Sequence, residues 1–499
     1  MNICWLAMAM LNLWKPDMMK RPIFALTTAL ALSGCSMAPK YHVPQSVTPA
    51  AAFKGDAGWA PAMPADDVAK GQWWKLFGDP VLDGLEQKVE VTNQNVAYYR
   101  AAYAQAEALV RANRAALFPT ISASASDTRS GTFAANSTGT TTGSGGSVTR
   151  TGTTISASGS ASWTPDIWGK LADTMRQSKA QAQASAATLA NATLSARGTL
   201  ATNYFQLRGI DAQKAMLTDS VAAYRRSLEV TRNKLAAGTL SEADVQSAQT
   251  TLSNAEASLR DLERQRASYE NAIAVLVGEN PSTFHLAPAE WNPALPQVPG
   301  VLPGDILQRR PDIANAERSV AAANSAIGIQ RSAFFPSITL SGSVSSNSTT
   351  MTNLFSAATS LWSLGASAAE TLIDFGARSA KVAQARAAYD AAVATYRQSV
   401  LNAFQEVETN LSAVSAYRAE APHYAAANAS AARAEAIIRN QYQAGTVDFT
   451  SVSSAQASAY SARVNLIQNT VNQQTAAVAL IQAIGGEWQG GVDLHPPAK

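Results

Sequence analysis

Few residues in this 499-residue chain have the type and spacing that chemistry requires. Its two cysteines, Cys4 and Cys35, are too few for a disulfide framework or a four-ligand metal site. His42, His285, His423 and His495 are scattered without ligand-like spacing. No Ser/His/Asp order, His-Glu-x-x-His run or phosphate loop stands out. Gly143-Ser144-Gly145-Gly146 lies in a low-complexity stretch, not between a strand and a helix. Arg309-Arg310-Pro311-Asp312 is the most tempting cluster, and its structural reading is the better one. Pro311 suits the first turn of a helix, Asp312 suits that helix's positive end, and the arginines would pair with nearby carboxylates or carbonyls. The chain therefore reads as non-enzymatic, with no cofactor and no metal. A net charge of +3 gives no reason to expect a nucleic-acid partner.

What remains is architecture. The length exceeds that of a single domain several times over. Charged residues are only 15% and aromatic residues 7%, and small or amide side chains fill much of the rest. Such a chain builds a poor thick core but suits elements that pack closely through small side chains.

The N-terminus gives the destination. Lys20 and Arg21 precede an apolar run from Pro22 to Leu32, which ends in Leu32-Ser33-Gly34-Cys35. A basic segment, about ten apolar residues and small residues at the end read as a secretory signal. The run is too short to span a bilayer, which takes roughly 20 apolar residues. The four closing residues resemble a bacterial lipoprotein signal, which implies cleavage before Cys35 and lipidation of that cysteine. Ser36 follows, and the absence of aspartate there resembles lipoproteins sorted to the outer membrane. Residues 1–34 are thus read as signal, with 1–17 an upstream extension and Met18 or Met19 an alternative start. No apolar stretch long enough for a transmembrane helix follows Cys35, so a membrane crossing has to be a barrel.

The organising feature is an internal repeat. Phe118-Pro119-Thr120-Ile121 recurs as Phe335-Pro336-Ser337-Ile338, an offset of 217 residues at the proline. Gly169, Gly238 and Gln249 recur as Gly376, Gly445 and Gln456, each 207 residues later. The two copies are read as residues 71–290 and 291–490, between an extended segment at 35–70 and a tail at 491–499. Each copy carries two strands, at about 119–129 and 153–164 in the first and 336–346 and 360–371 in the second. Serine alternates with small or apolar residues from Ile155 to Trp163, a period of two with one polar face. That pattern fits a strand between lipid and water, or a surface hairpin on a soluble domain. The segments joining the strands are rich in Gly, Ser, Thr and Asn and read as external loops.

Each copy then runs into a very long helix, about 170–235 and 377–443, the second with Pro422 inside it. Some 66 residues make about 100 Å of helix, too long for a globular interior. Only Gly198 and Gly209 interrupt the first of these helices, and Ala182, Ala186 and Ala190 predict a packing stripe along it. A plain coiled-coil rod is the competing reading, which sparse leucine and the flanking strands oppose. Four strands per chain leave open edges and enclose no pore, so several chains have to share one barrel.

Taken together these residues resemble the outer-membrane factor family of efflux channels, of the TolC, OprM and NodT kind. Trp73-Trp74-Lys75-Leu76-Phe77-Gly78-Asp79-Pro80 looks like that family's start. The most specific stretch runs from Leu302-Pro303-Gly304-Asp305 through Arg309-Arg310-Pro311-Asp312 and Ala321-Ala322-Ala323-Asn324 to Ala333-Phe334-Phe335-Pro336. The resemblance implies a mixed α and β membrane protein, a TolC-like homotrimer. A twelve-stranded outer-membrane β-barrel would sit with a long periplasmic α-helical barrel and an equatorial domain. It implies a periplasmic adaptor protein and an inner-membrane RND-type pump as partners, outer-membrane lipid around the barrel, and multidrug efflux as the task. A duct for type I protein secretion and a non-conducting coiled-coil lipoprotein are the alternatives.

The same resemblance assigns roles at the helical turns. Gly238, Thr239, Asp244, Gly445 and Thr446 would dock the adaptor, although glycine and threonine at these places also serve simply as caps. Tyr442 matches a gate tyrosine at the periplasmic entrance. Ser451 and Ser454 stand where the family often carries aspartate, which leaves Asp448 as the nearby carboxylate for a gate ring.

Overall fold

A computed structural model of the chain describes residues 36–45, 72–131, 151–289, 291, 293, 310–356 and 358–486. The signal, Cys35, Arg309, the Leu302–Gln308 stretch and the Gly143 loop lie outside the described residues. The chain divides into two compact units: residues 1–42, 107–180 and 321–391, and residues 43–106, 181–320 and 392–499.

The first unit contains four strands, β1 (Thr120–Gly131), β2 (Thr151–Trp163), β3 (Ser337–Ser348) and β4 (Ser360–Ala369). They form one antiparallel sheet in the order β1-β2-β3-β4. Pro119 has no N–H to donate, and the ladder begins one residue later. At the far end Arg378 takes the Thr371 carbonyl at 2.5 Å and Glu370 at 3.3 Å, and the chain leaves the ladder at Ala369.

Register places like upon like. Ile121, Ala123 and Ala125 lie opposite Ala161, Gly159 and Ala157, and Val344 opposes Trp362. The other face is a ladder of hydroxyls: Ser122–Ser160, Ser124–Ser158 and Ser126–Ser156 are each 2.8 Å apart, and Ser343–Ser363 is 2.9 Å. Ile121, Trp362 and Leu364 on the apolar face are exposed in the single chain. Among the described residues, β1 and β4 each have one edge without a partner strand.

The helices are α1 (Pro80–Thr92), α2 (Gln94–Ala115), α3 (Lys170–Ala236), α4 (Glu242–Leu276), α5 (Pro311–Ser332), α6 (Ala377–Gln443) and α7 (Phe449–Ala483). The duplication is visible in their lengths. α3 and α6 are each 67 residues and α4 and α7 each 35. Pro422 lies inside α6 without ending it. No helix among the described residues is long and apolar enough to cross a membrane.

Close approach between helices explains residues that look like interruptions in the sequence. A Cβ at Gly209 would stand 2.4 Å from Val471 Cγ2, and one at Gly198 would stand 2.0 Å from Gln482 Cδ. Both glycines therefore let α7 lie against α3. The alanine stripe follows the expected row only at its start. Ala182 is buried, but Ala186 and Ala190 are only half-buried, and Ala184 and Ala187 are completely buried instead. The reason is α5, whose Asn315 donates to the Ala184 carbonyl at 2.9 Å and to Thr188 Oγ1 at 2.8 Å. A spacing of four residues identifies a helix row, but the neighbouring element chooses which row is covered.

Arg310 has the structural role expected of it. It grips Asp312 through two nitrogens at 3.0 and 2.7 Å, and its Nη1 donates to the Ala483 carbonyl and to Glu406, each at 2.8 Å. Pro311 opens α5 directly after it.

Glu86 in α1 is fully buried, and neither of its carboxylate oxygens has a hydrogen-bond partner. Burial pushes its carboxyl well above the usual carboxylate range, and the nearby Arg197 only partly opposes this. A folded-state pKa raised above the unfolded value gives stability that is complete below the unfolded pKa and lost as pH rises through the folded one. Two outcomes follow for thermal unfolding in detergent. The melting temperature falls as pH is raised from 5 to 8, and Glu86→Gln flattens that slope. Gly209→Ala lowers stability by about 1–3 kcal/mol despite alanine's better helix propensity, because the added methyl meets a short, branched neighbour. Gly198→Ala is milder, because Gln482 is flexible enough to swing away.

Candidate functional site

The turns that join α3 to α4 and α6 to α7 are built alike. In the first, Gly238 takes φ +73°; in the second, Gly445 takes φ +76°. That left-handed conformation reverses the chain at little steric cost only for glycine. Thr239 N donates to the Lys234 carbonyl at 2.9 Å and Gly238 N to Leu235 at 2.8 Å. Thr446 N and Gly445 N repeat this with Gln441 at 3.0 Å and Tyr442 at 3.1 Å. Each threonine hydroxyl returns to the same carbonyl as its own amide, at 2.8 and 3.0 Å. Gly238, Thr239, Gly445 and Thr446 are all exposed, with nothing within 4 Å of a Cβ placed on either glycine.

The next helix starts by two versions of one cap. Ser241 caps α4, with its hydroxyl 3.3 Å from Asp244 N, and Asp244 reaches back to Ser241 N at 3.1 Å. In the second copy the residue types are exchanged. Asp448 caps α7, accepting from Ser451 N at 2.9 Å and from Ser451 Oγ at 2.6 Å. The 207-residue offset carries Ser241 onto Asp448 and Asp244 onto Ser451. The serine at 451 is therefore one half of an inverted capping pair. The Ser451 hydroxyl and amide, in that order, hold the Asp448 carboxyl below the usual carboxylate range. Asp448, Ser451 and Ser454 line one open depression together with Thr450 and Ser458.

Tyr442 is not in that depression. It is 4% exposed and packs edge-on to Phe449 at 5.8 Å, within the apolar cluster that joins the two turns. Lys234 Nζ lies 4.3 Å from its ring centre and donates to its carbonyl at 3.1 Å. Its hydroxyl is 3.1 Å from Thr231 Oγ1. Thr231 already donates to the Ser227 carbonyl at 2.8 Å, so Tyr442 is the donor. In the first copy the offset puts Leu235 at the equivalent place. The structure thus brings three of the four expected gate residues to one surface and fixes the fourth between helices.

Sequence reading missed a buried ionic group higher in the same unit. Arg266 contacts Asp211 at 2.7 Å and Glu270 at 3.1 Å, and Arg208 contacts Asp211 at 3.1 Å. The arginines also hold the Leu286 carbonyl at 2.5 Å and the Ala287 carbonyl at 3.0 Å. Arg208–Asp211 and Arg266–Glu270 are local pairs, but Arg266–Asp211 spans 55 residues and Arg208–Ala287 spans 79, so no local pattern reveals the group as a whole. Among the described residues no group of three or more His, Cys, Asp or Glu could hold a metal ion.

Comparison with known proteins places this geometry. The family model described as outer membrane efflux protein matches residues 85–279 and 302–486. A model of the prokaryotic membrane lipoprotein lipid attachment site matches residues 19–36, a stretch whose one cysteine is Cys35. The probable efflux pump outer membrane protein TtgC of Pseudomonas putida is 30% identical over 483 residues, covering 94% of this chain and 96% of the relative. The pyoverdine export outer membrane protein OpmQ of Pseudomonas aeruginosa is 28% identical over 422 residues, covering 84% and 88%. Among solved structures, the outer-membrane channel OprN superposes with a TM-score of 0.79 at 26% identity, covering 91% of this chain and all of the other. The CmeC outer membrane channel of Campylobacter jejuni shares the fold, with a TM-score of 0.80 at 22% identity over 92% and 96% of the two chains.

Two stability measurements check the account of the turns. Tyr442→Phe costs about 1 kcal/mol, the value of one buried hydrogen bond, whereas Tyr442→Ala costs about 3–5 kcal/mol. Ser241→Ala costs about 1 kcal/mol as a lost cap. Exchanging the second pair, Asp448→Ser with Ser451→Asp, recreates the first turn's cap and leaves the melting temperature unchanged.

Proposed function

This chain belongs to the outer membrane efflux protein family, and from that premise we propose how its single-chain geometry becomes a duct. The protein is a lipid-anchored outer-membrane efflux component that extends into the periplasm. The observation that carries the duct is the sheet. It has a serine face, an apolar face and two open edges, so it needs further copies to enclose water.

The repeat supports a particular way of joining copies. The 217-residue offset carries β1 onto β3 and the 207-residue offset carries β2 onto β4. Together they turn the pair Thr120↔Ser162 into Ser337↔Ala369, which is an observed pair. The junction between the repeats, β2 with β3, then serves as the template for the junction between copies, β4 with the next β1. Its pair Ala161↔Gly342 becomes Ala368 against Ala125 of the next copy. This keeps the apolar residues of both strands on one face. The aromatic contacts agree. Trp168 stacks on Phe335 at 4.7 Å inside the chain. The equivalent residues Phe375 and Phe118 are 100% and 62% exposed, each lacking the partner that the next copy would bring. A head-to-tail interface of this kind closes a ring. Three copies would give twelve strands, a homotrimeric barrel.

At the helical turns we assign Gly238, Thr239, Asp244, Gly445 and Thr446 to docking of a periplasmic adaptor, and Tyr442, Asp448, Ser451 and Ser454 to the entrance. The exposure of the two glycines and two threonines supports the first assignment. The shared depression of Asp448, Ser451 and Ser454 supports the second, with Tyr442 as the buried pin that holds the second turn. An inner-membrane RND-type pump would supply the energy, with drugs or other small molecules as cargo and this chain as a passive exit rather than an enzyme. The two repeats, at 71–290 and 291–490, would each contribute one hairpin of strands and one of helices.

Two experiments test this. Deletion raises dye accumulation and drug susceptibility in cells that express the matching adaptor and pump; unchanged accumulation across a broad panel rejects the efflux role. Ala125→Cys with Ala368→Cys gives disulfide-linked species of two and three chains in membranes. Ser124→Cys with Ala368→Cys, on opposite faces, gives none.

A further inference from the structure

The residue that follows the acylated cysteine is held in a built cradle. Ser36 Oγ donates to Asp173 Oδ1 at 2.7 Å, and the same hydroxyl accepts from Ala38 N at 3.2 Å. Asp173 is completely buried in the first turn of α3, where Arg176 also pairs with Oδ1. Its Oδ2 has no hydrogen-bond partner. The next residues are held by backbone: Arg331 Nη1 donates to the Met37 carbonyl at 3.3 Å, and Asn324 to the Pro39 carbonyl at 2.9 Å. The floor is Gly328. A Cβ there would stand 2.2 Å from Asp173 Oδ2, 2.6 Å from Ala38 N and 2.7 Å from Ala38 Cβ. Two helices far apart in sequence, α3 through Asp173 and α5 through Asn324, Gly328 and Arg331, thus converge on residues 36–39, all inside the first unit.

The cradle lies at the foot of the sheet. Asp173 comes ten residues after the end of β2, and Arg331 six residues before the start of β3. Trp163, Trp168 and Phe335 mark the same level, with the Trp163 and Trp168 indoles bonded to the Leu117 and Pro336 carbonyls at 3.0 and 2.7 Å. Such amphipathic rings suit the boundary between lipid and water. Cys35 directly precedes the held Ser36 in the chain.

We propose that Asp173 and Gly328 form a receptor for the chain's own lipidated N-terminus, which delivers the acyl chains of Cys35 at the foot of β2 and β3. The anchor is then a clamp on the barrel's rim, not a slack tether. The inference rests on the lipidation reading and adds the place where the lipid is held. The chemistry asks for a donor at position 36. Asp173 with Oδ2 unpartnered can only accept, so serine or threonine fits, alanine leaves a buried carboxylate short of a bond, and aspartate would set two carboxylates together.

The test uses the full-length protein in outer-membrane vesicles, with hydrogen exchange read peptide by peptide and the mass of the N-terminal peptide measured in the same samples. Ser36→Ala and Gly328→Ala raise exchange at the amides of residues 37–42 by tenfold or more, whereas Ser36→Thr keeps wild-type protection. Peptides from the rest of α3 and α5 keep theirs in all three, which separates release of the segment from loss of fold. Wild-type protection of residues 37–42 in both Ser36→Ala and Gly328→Ala overturns the receptor. An N-terminal peptide without acyl mass overturns the lipid assignment, and with it the clamp, whatever the exchange pattern shows.

Discussion

A sheet edge carries a row of N–H and C=O groups, and hydrocarbon offers them nothing to bond. That constraint governs this molecule. Among the described residues the sheet has four strands and two open edges, which are tolerable in water but not in a bilayer. The serine ladder sharpens the demand. Hydroxyls paired across β1–β2 and β3–β4 line a face suited to water, and the opposite face presents Ile121, Trp362 and Leu364. In the proposed ring, closure with further copies would satisfy edges and faces together. In that proposal the need for further copies arises from backbone hydrogen bonding.

Duplication makes that closure economical. The hairpin register of β1–β2 is repeated in β3–β4, and in the proposed ring the register of β2–β3 would be used a second time between copies. The helical turns show how far two copies can drift while keeping the same geometry. The backbone bonds at Gly238 and Gly445 are alike, yet the cap is serine-then-aspartate in one and aspartate-then-serine in the other. A cap needs an oxygen at one position and a partner three residues on, and either order meets that need. The fold therefore leaves the position of the carboxylate free, and the second turn carries it at the cap itself.

The buried charges follow a different logic. Arg208, Asp211, Arg266 and Glu270 satisfy one another and tie down the Leu286 and Ala287 carbonyls, so their burial fixes a chain crossing. Glu86 has no such partner, and burial raises its carboxyl well above the usual carboxylate range. A satisfied group specifies geometry, whereas an unsatisfied one makes stability depend on pH.

Much of this was legible without coordinates, because it rests on periodicity and covalent order. Alternating serine from Ile155 to Trp163 determined strands, the proline-free run after Lys170 determined a very long helix, and glycine before threonine determined the turns. Leu-Ser-Gly-Cys determined the anchor, and the offsets of 207 and 217 residues determined the duplication. Tertiary structure decided what depends on neighbours distant in sequence. It chose Ala184 and Ala187 over Ala186 and Ala190 because α5 lies on that row. It turned Gly198 and Gly209 from interruptions into contact points for α7, and set Tyr442 between helices while Asp448 became a cap. It gave Ser36 a partner 137 residues away. Sequence spacing fixes which residues share a row or a face; which face is covered, and by what, is set by packing between elements that no local pattern encodes.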